Sequence, residues 1–482
     1  MASFLAIIRL SCRSAVRSHV FQFLLFVLLL GVFLVPNTIK GDGTPYGYMQ
    51  VSLEYSLTFV TVMLMLSGIW LGCQTMTADV EDCRLQLIVV KPVSRYVVWL
   101  GKFCGVLMVL TALLLITTAV IYGFILYQYN RQGFTAEERA RMDNEVLTGR
   151  RAYQPDLPDV QAYALKAFNE KKNAQGQLLS QVLTGTERTK ALNAIYRQLI
   201  AAMGEIKVGQ TRYWTYSGLP EKLDPKSTFF IRYRAYSGTV DIQQYQDHGY
   251  GAWGAVFTFL EQPDLKKLKP GEKAPEPIPR QIYLQRPPEQ ILTAAVNELA
   301  MPADHVIVNG KAAIGFTNMA PNGKPLFIQV ADGPTLLVKE TGFLANYIRA
   351  VVMVFLGIAA TVIVSVALAS FLSMPTAIFI TISYMAFGFF ASFLISNEAM
   401  YGGLDMPAMD LYGYYLGRAL HFSIIPLQKF GISNYVANGE LIELSMIGSA
   451  ILFQIVLKGV PLALLGAWLY NRRELSLAAT KR

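Results

Sequence analysis

The sequence predicts an α-helical membrane protein with six transmembrane helices and a soluble α+β external domain. Three observations lead there. Long apolar stretches recur along 482 residues that are 53% hydrophobic and only 16% charged, against roughly 45–50% apolar in a soluble chain. The third and fourth stretches are separated by a long region, 128–343, that holds most of the proline and charge. The basic residues outside that region gather at alternate connections, as threading through a membrane requires.

Residues 1–127 hold an interfacial helix and spans one to three. Arg9, Arg13 and Arg17 are four apart and form one helical stripe. Phe4, Leu5, Ile8, Cys12, Ala15 and Val16 fall largely on another face, the pattern of a helix lying on an inner leaflet. Residues 20–35 are the first span. It is read as uncleaved, because no small-x-small site precedes Pro36-Asn37. A short polar loop is expected over 37–55 and the second span over 56–76. The third, 96–126, exceeds the roughly twenty residues that suffice to cross.

Region 128–343 divides in two. Residues 134–208 read helical, with few glycines, charged faces such as Glu137, Glu138, Arg139 and Arg141, and breaks at Pro155 and Pro158. Residues 211–339 read as strand: RYWTY, STFFIRYRAY, GAWGAVFTFL and PLFIQVA set β-branched and aromatic residues between turn residues. A β-sandwich-like part is expected there, with 266–279 a linker too rich in proline and charge to pack.

Residues 344–482 supply spans four (346–372), five (376–395) and six (444–470). The segment 397–443 is too polar to span and too apolar for a free loop, so short helices lying in or dipping into the interface are expected. A basic tail starts at Asn471. With six spans threaded, Arg9, Arg13, Arg17, Lys91, Arg95, Arg472, Arg473, Lys481 and Arg482 share one side. That side is cytoplasmic by the positive-inside rule. The expectation is a multi-pass protein of the inner (cytoplasmic) membrane, with the lipid bilayer as its solvent and the large domain outside the cytoplasm.

Several function classes drop out. The net charge of +9 belongs to residues flanking spans, so no nucleic acid partner is expected. Cys12, Cys73, Cys83 and Cys104 all lie in or beside the first three spans. The external region therefore carries no disulfide, and no metal spacing occurs. His19, His248, His305 and His421 are scattered. Gly310-Lys311 is followed by Ala312 and Gly323-Lys324 by Pro325, so there is no P-loop. One GxGxxG, Gly249 to Gly254, leads into the strand-like AVFTFL and reads as a glycine-rich turn. No catalytic residue and no directly bound cofactor are assigned, and the chain is not read as an enzyme.

Two polar features sit within apolar spans. Gln454 and Lys458 lie one turn apart in the sixth, where a cation costs about 2.5–3.5 kcal/mol on insertion scales. They are candidates for a translocation path or an inter-subunit contact, against the alternative of snorkelling. Ser365 and Ser370 stand among small residues of the fourth span, and close helix packing is the expected reason.

The stretch TADVEDCRLQLIVVKPVSRYVVWLGK, residues 77–102, joins spans two and three. Acidic residues open it, an apolar run follows, and Pro92 turns the chain before it re-enters lipid. It is either a short surface helix held by Lys91, Arg95 and Lys102 or an ordinary connecting loop. Glu81, the apolar run, Lys91-Pro92-Val93-Ser94-Arg95 and Leu100-Gly101-Lys102-Phe103 resemble the first cytoplasmic loop of type 2 ABC exporter permeases. Tyr470-Asn471-Arg472-Arg473-Glu474-Leu475, the lead helix and the six spans are similar to the same family. Cys83 and Arg84 stand near where its commonest form has Gly-Thr.

The resemblance implies a coupling helix within 77–95 that docks on an ABC ATPase subunit through Asp79, Glu81, Asp82, Arg84, Leu85 and Gln86, with Arg95 as a surface anchor. It implies ATP and Mg used through that partner, and a second permease copy as homo- or heterodimer. It says nothing of the insert 128–343. The alternative is a non-transporting envelope assembly or force-relay protein whose external domain binds an envelope protein.

Overall fold

The fold is given by a computed structural model that describes residues 2–38, 44–81, 93–131, 134–172, 176–183, 185–221, 227–237, 248–261, 278–321, 323–330, 333–395 and 408–472. The chain forms two compact units. One holds Met1–Gly149 and the C-terminal part from Glu340; the other is chiefly Arg150–Lys339.

The first unit is helical and opens with α1 (Ala2–Arg17) and α2 (His19–Thr38). The expected polar loop after α2 is instead largely helix: α3 runs Pro45–Glu81. Pro45 suits a first helical position, where no N–H is needed. Burial of Met49 and Leu53 gives those early turns a reason to form. Tyr48 Oη donates to the Pro36 carbonyl at 2.6 Å, pinning the end of α2 to the start of α3. α4 follows over Arg95–Arg131. A short α5 (Ala136–Arg141) begins with a capping box, in which the Thr135 hydroxyl accepts from the Glu138 N–H and Glu138 accepts from the Thr135 N–H. It widens into a π turn at Met142–Val146.

The second unit starts with a correction. The stretch 134–208, expected to be helical with breaks at Pro155 and Pro158, contains strand β1 (Thr148–Tyr153) before α6 (Val160–Glu170), α7 (Leu179–Val182) and α8 (Gly185–Gly204). α6 and α8 share a small core of Ala164, Phe168 and Ile195. The strands are β2 (Glu205–Ile206), β3 (Thr211–Tyr216), β4 (Thr228–Arg234), β5 (Tyr236–Ser237), β6 (His248–Glu261), β7 (Ile278–Gln285), β8 (Glu289–Leu292), β9 (Val296–Pro302), β10 (Ala312–Asn318), β11 (Leu326–Phe327) and β12 (Thr335–Gly342). They form sheets in the orders β1-β12-β4-β9, β3-β10-β6-β7 with β8 on β6, and β2-β11-β5. The first two share one core. Phe229, Ile231 and Tyr233 of β4 meet Trp214, Trp253 and Phe316, and Tyr233 lies 4.7 Å from Trp253 between ring centroids.

The GxGxxG is strand, not turn. Gly251 and Gly254 lie within β6 because rings take the space a side chain would need. A Cβ on Gly251 would stand 2.3 Å from Phe316 Cζ, and one on Gly254 2.6 Å from Tyr283 Cζ.

The helical unit resumes with α9 (Phe343–Ala369), α10 (Met374–Ile395), α11 (Ala408–Ser423), a 3-10 turn at Leu427–Phe430, α12 (Ser433–Ala437) and α13 (Leu444–Ser449). A π-helical run, Ala450–Gly459, then leads into α14 (Val460–Arg472). Among the described residues five helical runs are long and apolar enough to cross a membrane: His19–Thr38, Tyr46–Ala78, Arg95–Asn130, Phe343–Ala369 and Leu444–Arg472. The fifth expected span corresponds to α10, whose stretch Met374–Phe389 counts only as a shorter apolar helix. The chain is thus a membrane-embedded helical unit plus an α+β unit.

α9 is the centre of the bundle, its apolar stretch 78% buried against 22% for α2. Small residues let α3 approach it: a Cβ on Gly72 would lie 2.2 Å from Ser365 Oγ, and Gly68 faces Val362. The serines of α9 therefore pack, as the sequence suggests. Ser365 Oγ reaches the Gly68 carbonyl at 3.4 Å, and Ser370 Oγ accepts from Trp99 Nε1 at 2.8 Å.

Candidate functional site

Two arrangements in the helical unit concern the residues singled out above. The first surrounds the connection between α3 and α4. Asp82, Arg84, Leu85 and Gln86 lie outside the described residues, as do Lys91 and Pro92. Asp79 and Glu81 fall in the last turn of α3. Arg95 opens α4 and donates from Nη1 to the Asn471 carbonyl at the end of α14, at 3.0 Å. Trp99, one turn further, ties α4 to the end of α9 through Ser370.

Lys102 behaves differently from the surface residue the sequence suggests. It is buried, and its Nζ donates to the Thr75 carbonyl of α3 at 2.6 Å. α1 lies along the same turns of α4, where Gly101 meets Ile7 and Gly105 meets Ser11 and the Ile8 carbonyl. A bulkier residue at Gly105 would push α1 away, since a Cβ there would be 2.6 Å from Ser11 Cβ. The ends of α3, α4, α9 and α14, with α1, are therefore braced against one another beside the described ends of α3 and α4.

The second arrangement is a re-entrant turn. Of segment 397–443, expected at the interface, residues 408–443 are described, and they reach the middle of neighbouring helices. Phe430 packs on Gly357, midway along α9, and Ile424 packs on Gly388 of α10. Tyr384 Oη donates to the Ser423 carbonyl at 3.2 Å and accepts from the Ile425 N–H at 2.9 Å. From there the chain climbs beside α3 and α9. Thr58 Oγ1 donates to Ser433 Oγ at 2.8 Å, Gln50 meets Asn438, and Asn346 bonds the Glu440 carbonyl and the Ile442 N–H at 2.7 and 2.9 Å. Non-helical backbone at membrane depth survives only where protein satisfies its polar groups, and these side chains do that.

Lys458 belongs to this turn. Its Nζ donates to the Ile424 carbonyl at 2.6 Å and lies 5.7 Å from the centre of the Phe422 ring. The cation visible in the sixth span thus finds a main-chain carbonyl, a partner that no sequence spacing announces. Gln454, one turn earlier, is buried and lines a cavity with Lys429 and Ser449. Sequence reading did not single out Lys429, because it lies in a segment with no regular period.

The described residues of the α+β unit build a packed interior. Burial pushes the Tyr216 and Tyr233 hydroxyls well above the ordinary tyrosine value, and lowers the Arg212 guanidinium. Arg150, fully buried, pairs with Glu298, which Arg232 Nε also reaches at 3.0 Å; the Arg150 guanidinium lies 5.0 Å over the Phe230 ring. Among the described residues no three His, Cys, Asp or Glu side chains gather as a metal site.

Comparison with family models, curated proteins and solved structures finds no match to this chain.

Proposed function

We propose that the chain is the membrane-spanning permease subunit of an exporter-type ABC transporter, coupling ATP hydrolysis by a separate ATPase subunit to substrate movement. The observation that carries this reading is the bracing of the helix ends. Arg95–Asn471, Trp99–Ser370 and Lys102–Thr75 link four helix ends, among them the two that the 79–95 stretch joins in sequence, and the residues of that stretch resemble a coupling helix. A push on that stretch from the cytoplasmic side would move several helices together rather than one loop.

In this reading Asp79, Glu81, Asp82, Arg84, Leu85 and Gln86 dock on the ATPase, and α10 completes six spans. A second copy, identical or not, supplies the other half of the pathway. Gln454 and Lys458 lie toward that pathway, and the α+β unit stands outside the cytoplasmic membrane. ATP and Mg enter only through the partner.

The test is co-expression with a candidate ATPase and measurement of ATP hydrolysis in lipid, wild type against Glu81→Arg/Asp82→Arg. Co-purification that is lost in the double variant, with an altered hydrolysis rate, supports the permease. A chain that purifies alone under every condition moves the reading to the envelope assembly or force-relay protein.

A further inference from the structure

A cavity of about 310 Å³ lies between the re-entrant turn, α9 and the π-helical run. Met353, Met446 and Phe453 give it apolar walls; Lys429, Ser449 and Gln454 give it polar ones. Ligand pockets begin at about 300 Å³, so there is room for a polar headgroup but not for a whole lipid.

Gln454 is only 6% exposed, and its Oε1 finds no hydrogen-bond partner among the described residues. A buried acceptor left unmatched costs about 1–3 kcal/mol, and Gln454 is one of the residues that line the cavity. Ser449 Oγ donates to the Met446 carbonyl at 2.9 Å, which leaves its lone pairs for another donor. Lys429 is exposed at the same wall. A cation beside apolar walls attracts an anion more strongly than it would in water.

Depth narrows the ligand. Leu444–Arg472 would span about 43 Å as regular helix, and Gln454 lies about 15 Å from its start. The hydrocarbon core takes about 30 Å of that length. Gln454 therefore sits on the order of 10 Å below the hydrocarbon edge, where a headgroup drawn slightly inward would meet it.

We propose that this cavity binds the headgroup of an anionic phospholipid that carries free hydroxyls, its phosphate against Lys429 and a hydroxyl donating to Gln454 Oε1. The anion answers Lys429, the hydroxyl answers the Gln454 amide oxygen, and the acyl chains lie along the exposed face of Leu452 and Phe453. The inference needs only that the helices stand in a membrane, and it holds whether or not the chain transports anything.

The experiment uses the full chain in neutral detergent. Thermal unfolding is followed while short-chain phosphatidylglycerol, phosphatidic acid, phosphatidylcholine or inorganic phosphate is added. Phosphatidylglycerol is expected to raise Tm saturably. Phosphatidic acid, lacking the glycerol hydroxyls, should need about tenfold more lipid, and phosphatidylcholine and inorganic phosphate should have no effect.

Lys429→Gln should weaken the phosphatidylglycerol response about tenfold while Lys429→Arg keeps it. Gln454→Leu should erase the preference over phosphatidic acid. Equal responses to phosphatidylglycerol and phosphatidylcholine, an undiminished response in Lys429→Gln, or stabilisation by inorganic phosphate alone would overturn the proposal. Should Gln454→Leu fail to give a cooperative melt, the Lys429 variants and the lipid comparison decide.

Discussion

Lys458 Nζ stands 2.6 Å from the main-chain carbonyl of Ile424, thirty-four residues earlier in the chain. The pair joins the last membrane helix to the deepest point of a re-entrant segment. A carbonyl released from helical pairing is expensive in an apolar setting, and a lysine alone in a span is expensive too. Each removes the other's cost, so the two irregularities stand together.

That pairing predicts the behaviour of Lys458 variants. Lys458→Leu removes a charge-assisted hydrogen bond and should cost about 2 kcal/mol, read as a lower midpoint of thermal unfolding in detergent. Lys458→Arg retains a donor and should recover part of the loss. An unchanged midpoint in Lys458→Leu would mean that the Ile424 carbonyl does not depend on it.

The α3–α9 contact predicts a contrast between two helical glycines. Gly72→Ala places a methyl 2.2 Å from Ser365 Oγ and 3.1 Å from its Cβ, and overpacking of this kind costs about 1–3 kcal/mol. A Cβ on Gly123 meets nothing within 4 Å among the described residues, so Gly123→Ala should be neutral or gain up to about 1 kcal/mol of helix propensity. Thermal unfolding of the two variants side by side checks the contact, and equal midpoints would refute it.

In the α+β unit Glu298 holds two arginines, one of them fully buried. Glu298→Gln keeps the shape but leaves the Arg150 charge without its carboxylate, a change that costs about 3–5 kcal/mol for a buried pair. Limited proteolysis of the full chain should then cut faster within Arg150–Lys339, while Glu137→Gln, on an exposed pair with Arg141, should leave the rate alone. Wild-type resistance in Glu298→Gln would show that the cluster is not holding β1 to its sheet.

Tyr216 and Tyr233 predict an alkaline response. Burial raises both folded-state values above the ordinary 10.0. Above that pH the unfolded chain releases protons that the folded chain keeps, so stability falls as pH rises. Their contribution is complete below about pH 10 and is lost as pH climbs toward the folded values. A phenolate absorbance titration should leave these two tyrosines silent until the unit unfolds. Tyr233→Phe should lessen the loss of stability above about pH 10, and full reversible titration near that pH would contradict their burial.

Much of the fold is legible in the sequence because its causes are local. Twenty apolar residues in succession favour a helix in lipid whatever the rest of the chain does, so α2, α4, α9 and the final run appear where expected. Alternating aromatic and β-branched residues likewise mark β3, β4, β6 and β10. Local reading failed where a distant partner decides. β1 carries Thr148, Gly149, Arg150 and Arg151, which look like loop or charged helix face until β12 and Glu298 take them in. The glycines of β6 look like a turn until the rings of Phe316 and Tyr283 lie over them.

The candidate residues divide the same way. By itself the sequence determined that Lys458 and Gln454 are polar groups inside an apolar run, that 77–102 joins two long apolar stretches, and that the pattern GxxxxGK[ST] does not occur. Periodicity and composition are properties of neighbouring residues, and they suffice for that. Only the tertiary structure decided that Lys102 is buried against Thr75, that segment 408–443 turns back at mid-depth, and that Lys458 answers Ile424. Each depends on which helices come to lie side by side, and that follows from small contact surfaces such as Gly72 on Ser365 and Gly357 on Phe430, whose partners stand hundreds or tens of residues apart.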